Sequence, residues 1–349
     1  MQTRIVKISG DREKDDRIIE EAGRIIKKGG LVAVPTETVY GLAGDALNPG
    51  SSKKIYEAKG RPSDNPLIVH IARLKDLETI ARDIPDTAYA LAIAYWPGPL
   101  TMVLNKKDIV PKETTGGLDT VAVRFPENEI MQKVIISSGG FIAAPSANRS
   151  GRPSCTNASH CEEDLGGRID MIIDGGESGI GLESTVLDLT AARPVILRHG
   201  YIDKAMVERV TGPVDIETTA TEKPRAPGMK YRHYAPKGEL TLVSGEAEKT
   251  ARRILELAAG HAHNGGKTAV IFARENAALY EGAKDISLYD AGSLNDEDTI
   301  AHRLFSILRE LDEEECRYIY SECFDTPRLG RAIMDRLSRA AEGRVISAD

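Results

Sequence analysis

The chain is poor in cysteine. Cys155, Cys161, Cys316 and Cys323 are four in 349 residues, and no two of them form a CxxC pair. They are too few to staple a chain of this size, which points to a reducing compartment. Cys155, His160 and Cys161 lie close in sequence, but no second ligand pair stands at a zinc-site spacing, so no structural metal is expected. Long apolar runs are missing too: none approaches the roughly 20 residues that cross a bilayer, and no membrane association is expected. The opening MQTRIVKISGDREKDD has neither the apolar core nor the small-residue cleavage site of a secretory signal, so a cytoplasmic location is the expectation. Positive charge is in deficit, with 46 Lys and Arg against 53 Asp and Glu, a formal net charge of −7. A general nucleic-acid coat is thereby disfavoured, because affinity for phosphate backbones comes from clustered Lys and Arg. A polyanionic ligand would have to meet a local basic pocket.

What is present is the composition of a globular enzyme, 41% hydrophobic and 28% charged, in a length that suits two domains. TRIVKI reads as a strand, and the helix after it carries Ile18, Ile19, Ala22, Ile25 and Ile26 at helical spacing up to Gly29 and Gly30. LVAVP, PLIVHI, TMVLN, DTVAVRFP, GFIAAPS, MIID and STVLDL read as strands, with SSKKIYEA and DTAYALAIAYW as helices among them. The first domain, residues 1–211, is therefore expected to be an α/β unit on a twisted, mixed sheet with a concave cavity. Residues 212–238 lose apolar periodicity and read as an interdomain linker. From 239 to 349, ELTLVS, TAVIFA, ISLYD and CRYIYSECF alternate with helical segments, the pattern of a smaller, Rossmann-like domain on a parallel sheet.

Two glycine-rich stretches imitate nucleotide motifs. NGGKT, 264–268, resembles the tail of a P-loop, but Gly260 and Gly266 are one residue too far apart, and the segment leads from a helix into a strand. It reads as an αβ turn. DGGESGIGLEST follows a strand and enters another, so no helix N-terminus is available there for a dinucleotide pyrophosphate. Its glycines serve either a tight turn or a close approach to a ligand.

The chemistry lies elsewhere. KGRPSDNPLIVH, 59–70, sets Lys59 and Arg61 on a proline-stiffened loop ahead of a buried strand. On DTVAVRFP, alternation turns Val121 and Val123 to one face and Thr120, Ala122 and Arg124 to the other. Arg198 ends the apolar run PVILR. If these four strand and helix ends converge, like charges about 4 Å apart repel by roughly 4 kcal/mol near a surface, and an anion is needed to offset them.

PTETVYGL (35–42), KGRPSDNPLIVH (59–70), WPGPLT (96–101), PSANRSG (145–151) and ESTVLDL (183–189), in this order, resemble the YrdC-type threonylcarbamoyl-AMP synthases. APGMKYRHYAP (226–236) resembles the two-domain form of that family. The KxR…SxN signature falls on Lys59, Arg61, Ser146 and Asn148. The resemblance implies a nucleotidyltransferase that converts L-threonine, bicarbonate and ATP into L-threonylcarbamoyl-AMP and pyrophosphate, the first step toward threonylcarbamoyladenosine in tRNA, with Mg²⁺ bound mainly through the nucleotide. It implies Lys59 and Arg61 as the catalytic cations, Thr36, His70, Arg124 and Ser184 as threonine contacts, and Thr120, Ser146, Asn148, Ser154, Arg198 and Tyr234 as further ATP contacts. For His70 two readings stay open, a site role and a core donor at the end of a buried strand. The basic and aromatic cluster Lys230, Tyr231, Arg232, His233 and Tyr234 reads as a lid over the nucleotide, an RNA clamp or a solvated tether. A downstream threonylcarbamoyl-transferring enzyme is expected, and direct tRNA binding stays open. The alternatives are a noncatalytic RNA-binding module on the same cavity, and a carbamoyltransferase of the hydrogenase-maturation type, for whose zinc-finger regions the chain has no cysteine pairs.

Overall fold

The computed structural model describes residues 2–217, 233–263 and 265–348. They divide into two compact units, the first of residues up to 150 together with 154–217, the second of residues 151–153 and those from 233.

In the first unit the strands are β1 (Arg4–Lys7), β2 (Val32–Val34), β3 (Gly41–Asp45), β4 (Ile68–His70), β5 (Ala81–Arg82), β6 (Leu100–Lys106), β7 (Thr120–Arg124), β8 (Ile142–Ala143), β9 (Met171–Asp174), β10 (Thr185–Asp188), β11 (Val195–Arg198) and β12 (Asp215–Ile216). They form one mixed sheet in the order β1-β9-β2-β3-β8-β4-β7-β6-β10-β11-β12, with β5 paired to β6. The helices are α1 (Arg12–Lys27), α2 (Pro49–Lys59), α3 (Leu77–Ile80), α4 (Asp86–Tyr95), α5 (Glu129–Ser138), α6 (Ala158–Leu165) and α7 (Lys204–Thr211).

Capping fixes the helix that matters most for the site. Asn48 accepts from Gly50 N, Pro49 takes the first helical position, and Gly60 ends α2 at φ 64°, in the left-handed region that suits glycine. Lys59 is thus the last helical residue, and Arg61 N returns to Tyr56 O at 2.9 Å.

Alternation sorts the sheet's two faces. Val69, Met102, Val121, Val123 and Leu187 join one large core with residues of α2, α4, α6 and α7. On the other face α1 and α5 lay Ile19, Ile26, Met131 and Ile135 on Val32, Val34, Ile142 and Ile173. Further along, Ile68, Val103, Ala122, Val186 and Leu197 make a separate cluster of strand residues alone. Ala122 and the two valines beside it face as the period of two predicts.

The second unit has β13 (Glu239–Ser244), β14 (Thr268–Phe272), β15 (Ile286–Asp290), β16 (Tyr318–Glu322) and β17 (Val345–Ser347), with α8 (Ala247–His263), α9 (Glu297–Glu313) and α10 (Gly330–Ala340). Its sheet is parallel throughout, in the order β15-β14-β16-β13-β17, as expected from the β–α alternation. Ala251, Ile254 and Ala258 of α8 pack on Val243, Val270 and Phe272.

The structure departs from expectation in a few places. β12 lies inside the expected linker, pairing with β11 through only two residues, too short a run to leave a periodic signal. Strand β3, with two glycines in GLAGD, and helices α5, α6 and α7 were not foreseen, and α8 runs one turn past Ala259. The stretch from Gly265 to Lys267 does connect α8 to β14, as a turn does; Asn264 lies outside the described residues.

Candidate active site

Strand register builds the site. His70 stands opposite Arg124 in the β4–β7 pairing, Arg124 opposite Thr101 in β7–β6, Thr101 opposite Val186 in β6–β10, and Val186 opposite Arg198 in β10–β11. Opposed residues in a sheet share a face. His70, Arg124, Thr101 and Arg198 therefore form one polar row across five strands, on the side of the strand-only cluster. At about 4.8 Å per strand, Arg124 and Arg198 are roughly 14 Å apart along it.

The charges in that row are buried and engaged. Arg124 donates through Nη1 to Thr38 Oγ1 at 2.8 Å and through Nε to Gly98 O at 3.2 Å, and its Nη2 lies 2.7 Å from Glu37 Oε1. Thr36 Oγ1 donates to Val39 O at 2.6 Å, so across the 2.9 Å contact between the two threonine hydroxyls Thr38 is the donor. Arg198 donates to Ser184 O and to Ser184 Oγ, and that hydroxyl meets Thr101 Oγ1 at 2.7 Å. Burial, then the charge of Arg124, push His70 down to about 3. The ring is neutral at ordinary pH, and an Nδ1 facing Ile68 O at 3.1 Å must carry the proton. The core-donor reading of His70 is satisfied by that bond, and register also puts the ring beside Arg124.

A second cationic pair stands at the C-terminus of α2. Lys59 Nζ donates to Ser146 O and Asn148 O. Arg61 donates to Asn65 O, Asn65 Oδ1 and Pro66 O, all within its own loop. Burial, then the charge of Arg61, push Lys59 down to about 7. Two carbonyl acceptors oppose that shift, and they are what an ammonium needs. Ser146 Oγ donates to Asn148 Oδ1 at 2.5 Å, and Gly41 bridges to Ser146, extending the edge of β3. Ala144 N bonds Ile68 O, so the chain that carries Ser146 and Asn148 starts beside β4. The four expected cations are all buried. Lys59 and Arg61 stand together at the end of α2 while Arg124 and Arg198 are spread along the row; Lys59, Arg61 and Arg198 donate to neutral acceptors, and Arg124 meets Glu37.

The other expected residues vary. Ser154 Oγ donates to Glu183 Oε1, next to Ser184. Thr120 shares a face with Arg124 but lies four residues, about 13 Å, up the strand. Thr36 meets Arg124 only through Thr38. Tyr234 belongs to the second unit, where its ring packs on Phe305 at 5.3 Å and lies under the Arg336 guanidinium; Lys230, Tyr231 and Arg232 lie outside the described residues. Sequence reasoning passed over Glu37, Thr38, Thr101 and Glu183, although each lies inside or beside a quoted motif. The DGGESGIGLEST stretch proves to be a clamp: Ile180 N and Gly181 N bond Glu37 O and Thr38 O. Cys155 and Cys161 pack in the core, while the His160 ring is engaged by Thr156 and Asn157.

Comparison with known proteins shows the family. The Sua5/YciO/YrdC family model, described as "Telomere recombination", matches residues 24–200, and the model described as "Threonylcarbamoyl-AMP synthase, C-terminal domain" matches residues 202–342. The threonylcarbamoyl-AMP synthase of Pyrococcus abyssi is 47% identical over 94% of this chain and 95% of its own. That of Bacillus subtilis is 43% identical over 98% of both. The crystal structure of P. abyssi Sua5 complexed with L-threonine superposes with a TM-score of 0.91 at 44% identity, covering 99% of each chain. The polar row and the paired cations of α2 thus sit in a chain that belongs, over nearly its whole length, to the threonylcarbamoyl-AMP synthase family.

Proposed function

We propose that the first unit condenses L-threonine, bicarbonate and ATP into L-threonylcarbamoyl-AMP, pyrophosphate and water. The observation that carries this reading is the polar row: a guanidinium able to clamp a carboxylate, three strands from a second guanidinium, with Lys59 and Arg61 a short chain segment away. One basic end suits an amino acid and the other a triphosphate.

On this reading Arg124 takes the threonine carboxylate, with Ser184 and the Thr36–Thr38 pair beside it. Neutral His70 orients the amino acid or the bicarbonate and carries no charge through the reaction. The threonine nitrogen takes up the carbon of bicarbonate with loss of water. An oxygen of the resulting carbamate then attacks the α-phosphorus, and the bond to the β-phosphate oxygen breaks. Lys59 and Arg61 neutralise the phosphate oxygens and the departing pyrophosphate, so the protein's task is positioning and charge stabilisation. Ser146, Asn148, Ser154, Thr120 and Arg198 hold the nucleotide.

Among the described residues no group of three His, Cys, Asp or Glu stands together to hold a metal. A Mg²⁺ carried on the ATP phosphates would shield their charge, with few protein ligands. No helix among the described residues is long and apolar enough to cross a membrane. The adenylate would pass to a second enzyme that transfers the threonylcarbamoyl group to tRNA.

The test is pyrophosphate release by the pure chain. Release is expected only when ATP, L-threonine and bicarbonate are all present. Release without threonine would refute the assignment.

A further inference from the structure

The ion pair of Arg124 with Glu37 is poorly made for its surroundings. The two side chains are only 5% and 12% exposed, and Nη2 stands 2.7 Å from Oε1. Yet Arg124 Nη2 and Glu37 Oε2 are both buried without a hydrogen-bond partner. Oε1 also accepts from Glu127 N at 3.2 Å. A guanidinium and a carboxylate removed from water hold each other best as a fork on a fork, with two parallel bonds. This pair has the charges without that alignment. The backbone of Glu37 is fixed by Ile180 N on its carbonyl at 2.8 Å, so any exchange here would be made by the side chain.

We propose that Glu37 is a specificity-determining residue: it occupies the carboxylate seat of Arg124 until the carboxylate of an amino acid replaces it. The inference rests on reading Arg124 as the threonine clamp. Exchanging one carboxylate for another keeps the buried guanidinium paired at every stage, since an unpaired one is costly. A ligand with threonine's amine and hydroxyl but no carboxylate cannot displace Glu37, so the seat admits amino acids and rejects simple amino alcohols.

Calorimetric titration of L-threonine tests this. Glu37→Gln removes the competing charge and is expected to bind L-threonine roughly tenfold more tightly than the unmodified chain. Weaker binding would mean that Glu37 holds the ammonium group, and unchanged binding that it only supports the loop; either overturns the proposal. In the unmodified chain 1-aminopropan-2-ol is expected not to compete with L-threonine, and effective competition would likewise overturn it. Arg124→Met separates the two levels. If it binds L-threonine normally, the clamp reading itself fails. If it loses binding while Glu37→Gln gains none, only the role of Glu37 fails. Should Glu37→Gln fold poorly, a crystal structure of the unmodified chain with L-threonine decides: Glu37 swung off the guanidinium supports the proposal, and Glu37 still on it contradicts it.

Discussion

Lys59 combines full burial with two backbone acceptors and a neighbouring guanidinium, and its consequences are measurable. Its ordinary value of 10.5 is pushed down to about 7, first by burial and then by Arg61. Between about pH 7 and 10.5 the unfolded chain keeps a proton that the folded chain gives up. Stability therefore rises with pH across that window, and the burial cost is fully felt below about pH 7. The stability of the unmodified chain relative to Lys59→Met is expected to increase from pH 7 to 10, as denaturant unfolding would read; a flat difference contradicts the shift. A triphosphate needs the ammonium, so ATP binding at pH 8 should take up a proton, seen as buffer-dependent heat in calorimetry. Lys59→Met itself should abolish pyrophosphate release while remaining folded. His70, pushed down to about 3, should show no imidazole titration by NMR between pH 5 and 8, and a step there would contradict its neutral, carbonyl-bonded state.

Between strands β10 and β11 the site depends on close backbone packing. A Cβ on Gly200 would lie 2.3 Å from Thr185 N and 2.6 Å from Ser184 C, against the stretch that receives Arg198. Gly200→Ala should cost about 1–3 kcal/mol in stability and raise KM for L-threonine and for ATP, since Ser184 and Arg198 move together. Gly179→Ala, where a Cβ meets nothing within 4 Å, should leave the unfolding midpoint almost unchanged; equal losses in both variants would remove close packing as the cause. Much of this was legible locally. The alternation of Val121, Ala122 and Val123 set which way Arg124 faces, whereas Lys59, expected on the loop after the helix, is the last residue of α2. The polar row was not legible, because it depends on register between strands up to 128 residues apart in sequence, His70 to Arg198, and on a bulge in the β10–β11 pairing. Nor was the pairing of Glu37 with Arg124, which sequence spacing cannot disclose. Nor was the role of Thr38 legible: the Thr36 hydroxyl donates to Val39 O, and it is Thr38 that meets Arg124.

For the chain as a molecule, order of motifs carried further than composition. A net charge of −7 is compatible with an ATP site because the four basic residues are concentrated in one unit and withdrawn from bulk solvent. The second unit was legible as a parallel sheet from its β–α alternation, while the two-residue strand β12 was not, having no periodicity to read. The family's two models meet near residue 201, whereas the mixed-sheet unit runs on through α7 and β12. All four cysteines are free of disulfides, and Cys155 and Cys161 pack in the core of the first unit. The most direct measurement is a crystal structure with L-threonine and a non-hydrolysable ATP analogue bound. The expected result has the threonine carboxylate on Arg124 and the phosphates against Lys59 and Arg61. Phosphates bound away from that pair, or an amino acid seated off the row of His70, Arg124 and Arg198, would contradict it.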